Sequence, residues 1–259
     1  MLGSIDQMIS LVSFGNDSLL TGYANPEFLN HPEYHFSNKN ICITGKRYFD
    51  NKTNKYFVID NPNSWFELLI KEKCKKLRVI FEPINNSTIP SFTRAGYKEG
   101  GTWFIKAIYD EYFDLWELIS FNEYKFFRTE ANFTLPDTKG ELETVKTQTI
   151  QAVENIVSFA YQIDEKQWPR IQNEFNKILN STTPNEGYYH KHLIVLKNYS
   201  ISAQQILFAA ASLWCFNGMG SWADIGGFSD KAVNDKYYDV TEKLYQAVCK
   251  SIVAAINSF

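Results

Sequence analysis

The sequence predicts an α+β protein, in which a mainly antiparallel β-sheet region is followed by a helical bundle of about four helices. Residues 102–109 alternate with a period of two between an apolar face and a more polar one, which is typical of a strand. From residue 145 onward the apolar residues recur at the 3.6-residue spacing of amphipathic helices. The change of period lies near residues 136–140, which divides the chain into a β-rich region, 1–138, and a helical region, 139–259. Aromatic residues are abundant on both sides of that boundary, which is compatible with one shared core.

The β-rich region is predicted to contain a hairpin, a short helix, a single strand and a three-strand meander. A polar loop, residues 50–55, separates the two strands of the hairpin. Ser64 is a candidate N-cap for the helix, because its hydroxyl can accept a hydrogen bond from the first turn. In chain order the elements are Ile41–Phe49, Tyr56–Asp60, the helix Trp65–Lys75, then Leu77–Phe81, Thr102–Tyr109, Tyr112–Ser120 and Tyr124–Phe133.

The helical region is predicted to contain four helices. The first covers residues 145–163, and the second, residues 171–179, is led by Pro169, which suits the first turn of a helix. The third, Ile206–Cys215, follows a capping box formed by Ser202 and Gln205, and is apolar nearly all round. This third helix is therefore expected at the centre of the bundle. The last helix is opened by Asn234 or Asp235 and carries its apolar stripe from Val240 to Ala255.

Composition and charge favour a cytoplasmic protein that binds neither nucleic acid nor membranes. Of 259 residues, 26 are basic and 29 acidic, giving a net charge of −3, whereas nucleic-acid-binding domains usually carry a basic face. The longest apolar stretch, Ile206–Phe216, is far shorter than the ~20 residues that cross a bilayer. The first residues lack the basic segment of a signal peptide. The four cysteines form no C-x-x-C pair, which favours isolated thiols in a reducing compartment.

Histidines supply the candidate metal ligands. His31 and His35 lie in a His-Pro-Glu-Tyr-His stretch, where the proline interrupts helical geometry. His190 and His192 are two residues apart, so both rings can lie on one face of a strand. A metal site requires three or four converging ligands, so the two pairs would have to meet in space. Surface histidines are the simpler interpretation, and no metal or cofactor is expected.

No sequence motif for a nucleophile or a phosphate-binding loop is present. Two stretches combine acidic and aromatic residues, a mixture that suits a protein partner. Acid–base catalysis by the acidic residues is the alternative, but Asp110 and Glu111 are expected in a turn, and Asp114 and Glu117 on opposite faces of a strand. The candidate partner-binding residues are Tyr109, Asp110, Glu111, Tyr112, Asp114 and Trp116, together with Tyr188 and Tyr189.

One basic cluster runs from the predicted short helix into the strand that follows. It comprises Lys71, Lys73, Lys75, Lys76 and Arg78. Cations near the end of a helix complement its dipole and stay hydrated, so a solvated surface is the expected role. Phosphate binding is the alternative, but the cluster lacks the interleaved aromatic residues of a nucleic-acid groove.

The stretch after the third predicted helix is the most unusual in the chain. It contains two glycines two residues apart, which permit a tight connection, and Trp222 is expected to pack against the bundle. The stretch resembles the F-G-G-M-G-S-[WF]-N-D signature of bacterial proteins encoded near polymorphic and type VI secretion toxins. Asn217 replaces a glycine of that signature and Ala223 replaces its asparagine, and the match covers about residues 200–257. The matching residues, expected to be structural, are Phe216, Gly218, Met219, Gly220, Ser221, Trp222 and Asp224.

The resemblance implies a non-enzymatic immunity protein that binds a cognate bacterial toxin in the cytoplasm and occludes its active site or substrate path. An interface of ~1,600 Å² with a few aromatic anchors is typical of such binding. Two alternatives remain open from the residues alone. One is a metal-assisted hydrolase that uses the four histidines, and the other is a regulatory module that binds a small ligand between sheet and helices.

Overall fold

The computed structural model describes residues 3–25, 27, 46–50, 55–59, 61–83, 90–95, 100–120, 123–130, 138–216 and 221–259. It confirms the predicted α+β class. The strands are β1 (Lys46–Asp50), β2 (Lys55–Ile59), β3 (Lys76–Pro83), β4 (Gly101–Ile108), β5 (Tyr112–Ser120) and β6 (Glu123–Glu130). The α-helices are α1 (Gly3–Thr21), α2 (Pro62–Lys71), α3 (Thr138–Gln162), α4 (Trp168–Leu179), α5 (Ile201–Ser212) and α6 (Lys231–Asn257).

Both sheets in the described ranges are antiparallel and follow chain order. Strands β1 and β2 form the predicted hairpin, with Lys46 opposite Ile59. Strands β3 to β6 form a four-stranded sheet in the order β3-β4-β5-β6. The predicted meander is thus present, and the strand predicted before it joins the same sheet. Residues 41–45 and 131–133 of the predicted strands lie outside the described residues.

The helices begin at caps close to the predicted ones. Asn61, not Ser64, caps α2: its side-chain oxygen accepts from the Ser64 amide at 2.9 Å. Ser200, not Ser202, caps α5 in the same way, accepting from the Ala203 amide at 3.2 Å. Asp230 caps α6, a few residues before the predicted start. In each case a side chain that accepts from the amide three residues on satisfies an otherwise free donor of the first turn.

Helix α1 is absent from the sequence prediction, and it is the most completely buried helix in the described chain. Every residue from Ser4 to Ser18 is buried. Its apolar residues, among them Ile5, Met8 and Phe14, join the core. Gly15 lets the helix approach β3, because a Cβ there would lie 2.4 Å from Leu77 Cδ1.

The free edge of β3 is closed by two asparagine side chains rather than by another strand. Asn16 of α1 donates to Leu77 O (3.0 Å) and accepts from Leu77 N (2.7 Å). Asn257 of α6 does the same for Val79, at 2.7 and 2.8 Å. An edge strand otherwise presents unpaired backbone groups to other chains. The two amides satisfy those groups and fix both helices against the sheet.

One buried apolar cluster contains residues of both halves of the chain. It includes Met8 of α1, Trp65 of α2, Trp103 of β4, Phe208 of α5 and Leu244 of α6. The helix predicted at the centre of the bundle, α5, is buried throughout residues 206–211. None of the helices within the described ranges combines the length and apolar character that crossing a bilayer requires.

Candidate partner-binding site

A polar stripe on α1 binds the loop that precedes α5. The stripe consists of Asp6, Ser10, Ser13 and Asp17, whose spacing of three and four residues places them on one side of the helix. The loop, residues 188–198, runs alongside in the same direction. Ser10 donates to Leu193 O and Ser13 accepts from Val195 N, both at 2.9 Å. At the far end Asp17 accepts from the Asn198 side chain at 2.8 Å.

Asp6, at the start of this stripe, receives three side chains from the loop. Its carboxylate lies 3.3 Å from the Tyr188 hydroxyl and 3.2 Å from the Tyr189 hydroxyl, both of which donate to it. His190 Nε2 lies 3.6 Å from Asp6 Oδ2. Three consecutive residues therefore converge on one carboxyl group, which is itself fully buried. We call these four residues the Asp6 cluster.

The electrostatics of the Asp6 cluster are set by burial. Burial raises the pKa of Asp6 to about 6, because the charged carboxylate loses its hydration, while the two tyrosine hydroxyls oppose that rise. Burial lowers the pKa of His190 to about 4 for the corresponding reason. A fully formed ion pair would shift both values the other way. Both shifts therefore favour the neutral forms of the two side chains.

Tyr189 connects this buried carboxylate to the surface. Tyr189 remains 63% exposed, although its hydroxyl donates a hydrogen bond to Asp6. Its ring lies 3.9 Å from that of His190 and 4.4 Å from that of Tyr188, between centroids. A large aromatic side chain is thus presented to solvent and held at its hydroxyl and on its flanks. The sequence analysis identified Tyr189 but not Asp6. The spacing of polar residues at positions 6, 10, 13 and 17 is the pattern that could have identified Asp6.

Four of the eight predicted partner-binding residues are buried, so these four are not part of an exposed surface in this structure. These are Tyr109, Asp114, Trp116 and Tyr188. Asp114 and Trp116 lie on the face of β5 that packs against the core, where Trp116 meets Trp65 edge-on at 5.5 Å. Both faces of this strand carry apolar residues in the sequence, so alternation did not identify the buried one.

Besides Tyr189, three of the predicted residues are accessible, and they lie at the turn between β4 and β5. Asp110 and Glu111 are exposed, and Asp110 lies 3.4 Å from Lys75. Tyr112 is half-buried and stacks on Tyr109 with centroids 4.3 Å apart. The turn therefore presents two exposed carboxylates, and its role in binding stays a prediction.

Two of the residues that carry the resemblance, Trp222 and Phe216, pack in the core. Trp222 is buried, donates to Thr241 Oγ1 at 2.8 Å and packs edge-on against Trp168 at 5.3 Å. Its carbonyl accepts from the Tyr237 hydroxyl at 2.8 Å. Phe216 is buried as well, whereas Asp224 is exposed and Ser221 is half-buried. Gly218, Met219 and Gly220 lie outside the described residues.

The predicted histidine pairs do not assemble within the described part of the chain. His190 is directed at Asp6, whereas His192 is exposed. His31 and His35 lie outside the described residues. Among the residues the structure describes, no group of three histidines, cysteines or carboxylates is arranged to hold a metal ion.

A cavity of about 280 Å³ lies between the end of α4, residues 183–187 and Ser212. Its lining includes Lys177, Glu174 and Glu186 around Ile178. The cavity adjoins the loop that carries Tyr188. It does not lie between sheet and helices, which is where the sequence analysis placed the alternative small-ligand site.

Comparison of the chain with protein-family models, curated proteins and solved structures finds no match.

Proposed function

We propose that the protein is a non-enzymatic immunity protein, which binds a cognate bacterial toxin and blocks its active site or substrate path. The observation that carries the proposal is Tyr189, an exposed aromatic side chain whose hydroxyl is fixed to the buried Asp6 carboxylate. The resemblance of residues 216–224 to the immunity-associated signature supplies the class of partner.

Tyr189 has the properties of a binding anchor. Tyrosine is enriched among the few residues that dominate binding energy, since it buries a large area and fixes only two torsions. Association also costs entropy for each side chain that becomes ordered. This entropy cost is smaller for Tyr189, because Asp6, Tyr188 and His190 already restrict its ring before a partner binds.

The acidic turn at Asp110 and Glu111 offers a second, electrostatic contribution. Exposed carboxylates at the rim of an interface raise association rates with a basic partner more than they raise affinity. A toxin that acts on nucleic acid presents such a basic surface around its active site. Tyr189 therefore contributes mainly to the affinity for the toxin, and the acidic turn contributes mainly to the rate of association with it.

Co-expression with the toxin genes that neighbour this gene tests the proposal. The wild-type chain is expected to protect the cells and to co-purify with one toxin at a salt-resistant, near-equal ratio. Tyr189→Ala is expected to weaken the affinity about 30-fold, which corresponds to ~2 kcal/mol for an anchor residue. Tyr189→Phe keeps the ring but not the bond to Asp6, and should give an intermediate value.

Tyr161→Ala is the matched control. Tyr161 is 67% exposed, close to the value for Tyr189, and lies at the end of α3. Its removal should change the affinity less than twofold. If no neighbouring toxin is bound or neutralised, the immunity proposal is wrong. If Tyr189→Ala and Tyr161→Ala reduce the affinity by the same factor, a toxin is bound but Tyr189 is not the anchor.

A further inference from the structure

The outer face of the four-stranded sheet carries two cations directly opposite each other. Leu77, Val79, Ile105 and Ala107 are buried in the core, so the alternating residues of β3 and β4 lie on the other face. Arg78 and Lys106 are register partners there. Like charges at opposed positions of neighbouring strands repel each other and destabilise the pairing.

Arg78 is the most anomalous residue of this face. It is only 9% exposed, and its Nε is buried without a hydrogen-bond partner in the described chain. Guanidinium groups are rarely buried unless a carboxylate or another acceptor satisfies them. Glu141 attracts Arg78 electrostatically, but it is an exposed residue. The strand would keep its packing with an unbranched apolar side chain, so stability alone does not account for an arginine here.

The neighbouring cations increase the positive charge rather than relieve it. Lys106 Nζ lies 3.8 Å from the centroid of the Phe113 ring, in a cation–π contact. Lys76, two residues before Arg78, donates to a main-chain oxygen of Phe259. Burial, together with the charge of Arg78, lowers the pKa of both lysines. The basic cluster of the sequence therefore divides: Lys71, Lys73 and Lys75 are exposed, while Lys76 and Arg78 turn into this face.

We propose that this face is a binding site for an oxyanion, a carboxylate or phosphate group, held by Arg78 with Lys106 as the second cation. Guanidinium binds both groups through paired N–H donors, and its orphaned Nε–H is one of them. Lys106 adds a second positive charge from the opposite strand. The site is separate from Tyr189, and the proposal does not depend on the toxin-binding role.

Titration of the full chain with inorganic phosphate and with acetate, at constant ionic strength set by chloride, tests the proposal. Calorimetry and the thermal unfolding midpoint are the two readouts. One anion is expected to bind with a 1:1 ratio and to raise the midpoint as its concentration rises, because it binds only the folded state. Preference for phosphate assigns a phosphoryl ligand, and preference for acetate assigns a carboxylate.

Arg78→Met and Lys106→Met are the test variants, and each is expected to weaken anion binding at least tenfold. They lie on different strands, so a folding defect in one leaves the other informative. Lys75→Met is the control, because Lys75 lies immediately before β3 and is exposed beside Asp110. The anion affinity of this variant should stay within twofold of wild type. The proposal is overturned if neither anion acts beyond chloride, or if the Arg78 and Lys106 variants respond as wild type does.

Discussion

Helices α1 and α5 are both buried, but by different means. Helix α5 is buried because its residues 206–211 are apolar, as its sequence indicates. Helix α1 is buried over a longer run, Ser4 to Ser18, although that run contains eight polar side chains among its fifteen residues. The polar residues are accommodated because neighbouring segments supply hydrogen bonds to them.

The difference shows that a polar residue in a sequence does not identify the surface. In α1, Asn16 satisfies the edge of β3, and the 6-10-13-17 stripe satisfies the loop at residues 188–198. A buried polar group costs free energy only while it lacks a partner. The hydrogen bonds of α1 also join the sheet to the loop that carries Tyr189. Apolar contacts alone would fix the position of this loop less specifically.

The largest expected effect compares two contributions to the free energy of unfolding: that of a side-chain amide in α1 and that of an apolar side chain in α5. Phe208→Ala in α5 should lower the free energy of unfolding by ~3–5 kcal/mol through lost burial and a cavity. Asn16→Ala in α1 should cost about as much, ~2–5 kcal/mol, because it leaves the N–H and C=O of Leu77 without partners. Urea unfolding measures both. A cost for Asn16→Ala below ~1 kcal/mol would mean that the amide pairing contributes no more than one ordinary hydrogen bond.

The Asp6 cluster predicts how stability depends on pH. The folded pKa of Asp6, about 6, exceeds its ordinary value of 3.8, so the contribution of Asp6 to stability decreases as pH rises from about 4 to 6. The folded pKa of His190, about 4, lies below its ordinary value of 6.5, so the contribution of His190 to stability increases over the same range. The two offset each other in the wild-type chain.

Asp6→Asn removes the Asp6 contribution and leaves that of His190. The stability of the variant, relative to wild type, should therefore increase from pH 4 to pH 6, by up to ~1.4 kcal/mol per pH unit. Urea unfolding at pH 4, 5, 6 and 7 measures this difference. Parallel curves for the two proteins would show that Asp6 titrates normally in the folded chain.

The smallest expected effect concerns the middle of the stripe. Ser10→Ala removes a donor to Leu193 O, and should cost ~1 kcal/mol. Thr147→Ala in α3 is the control, since its hydroxyl donates to Glu143 O on an exposed helix face. The control should change stability by less than ~0.5 kcal/mol. Equal effects of the two substitutions would contradict a special role for the stripe.

The sequence predicted the elements whose patterns are periodic. The meander, the hairpin, α2 and the four helices after residue 138 all have counterparts in the structure, with boundaries displaced by a few residues. Helix α1 was missed, because its serines, asparagine and aspartates interrupt the apolar stripe on which the prediction of a helix rests. Their partners lie up to 183 residues away along the chain, so no local pattern could identify them.

The candidate site was predictable only in part. Tyr189 was predicted to bind a partner and is exposed, whereas Tyr188 beside it is buried by contact with Asp6 and Phe208. The basic cluster was predicted to be solvated, but Arg78 is buried, although strand alternation turns it away from the core. Both errors arise where one residue's exposure depends on elements distant in sequence.

Amide hydrogen exchange, measured residue by residue, tests most directly whether the polar residues of α1 organise its surroundings. Val195 N–H lies in a loop, yet it donates to Ser13, and Leu77 N–H lies at a sheet edge, yet it donates to Asn16. Both amides should exchange as slowly as those of the core helices, and Asn16→Ala should release Leu77 alone. Exchange of Val195 and Leu77 at the rate of open loops in the wild-type chain would contradict the account.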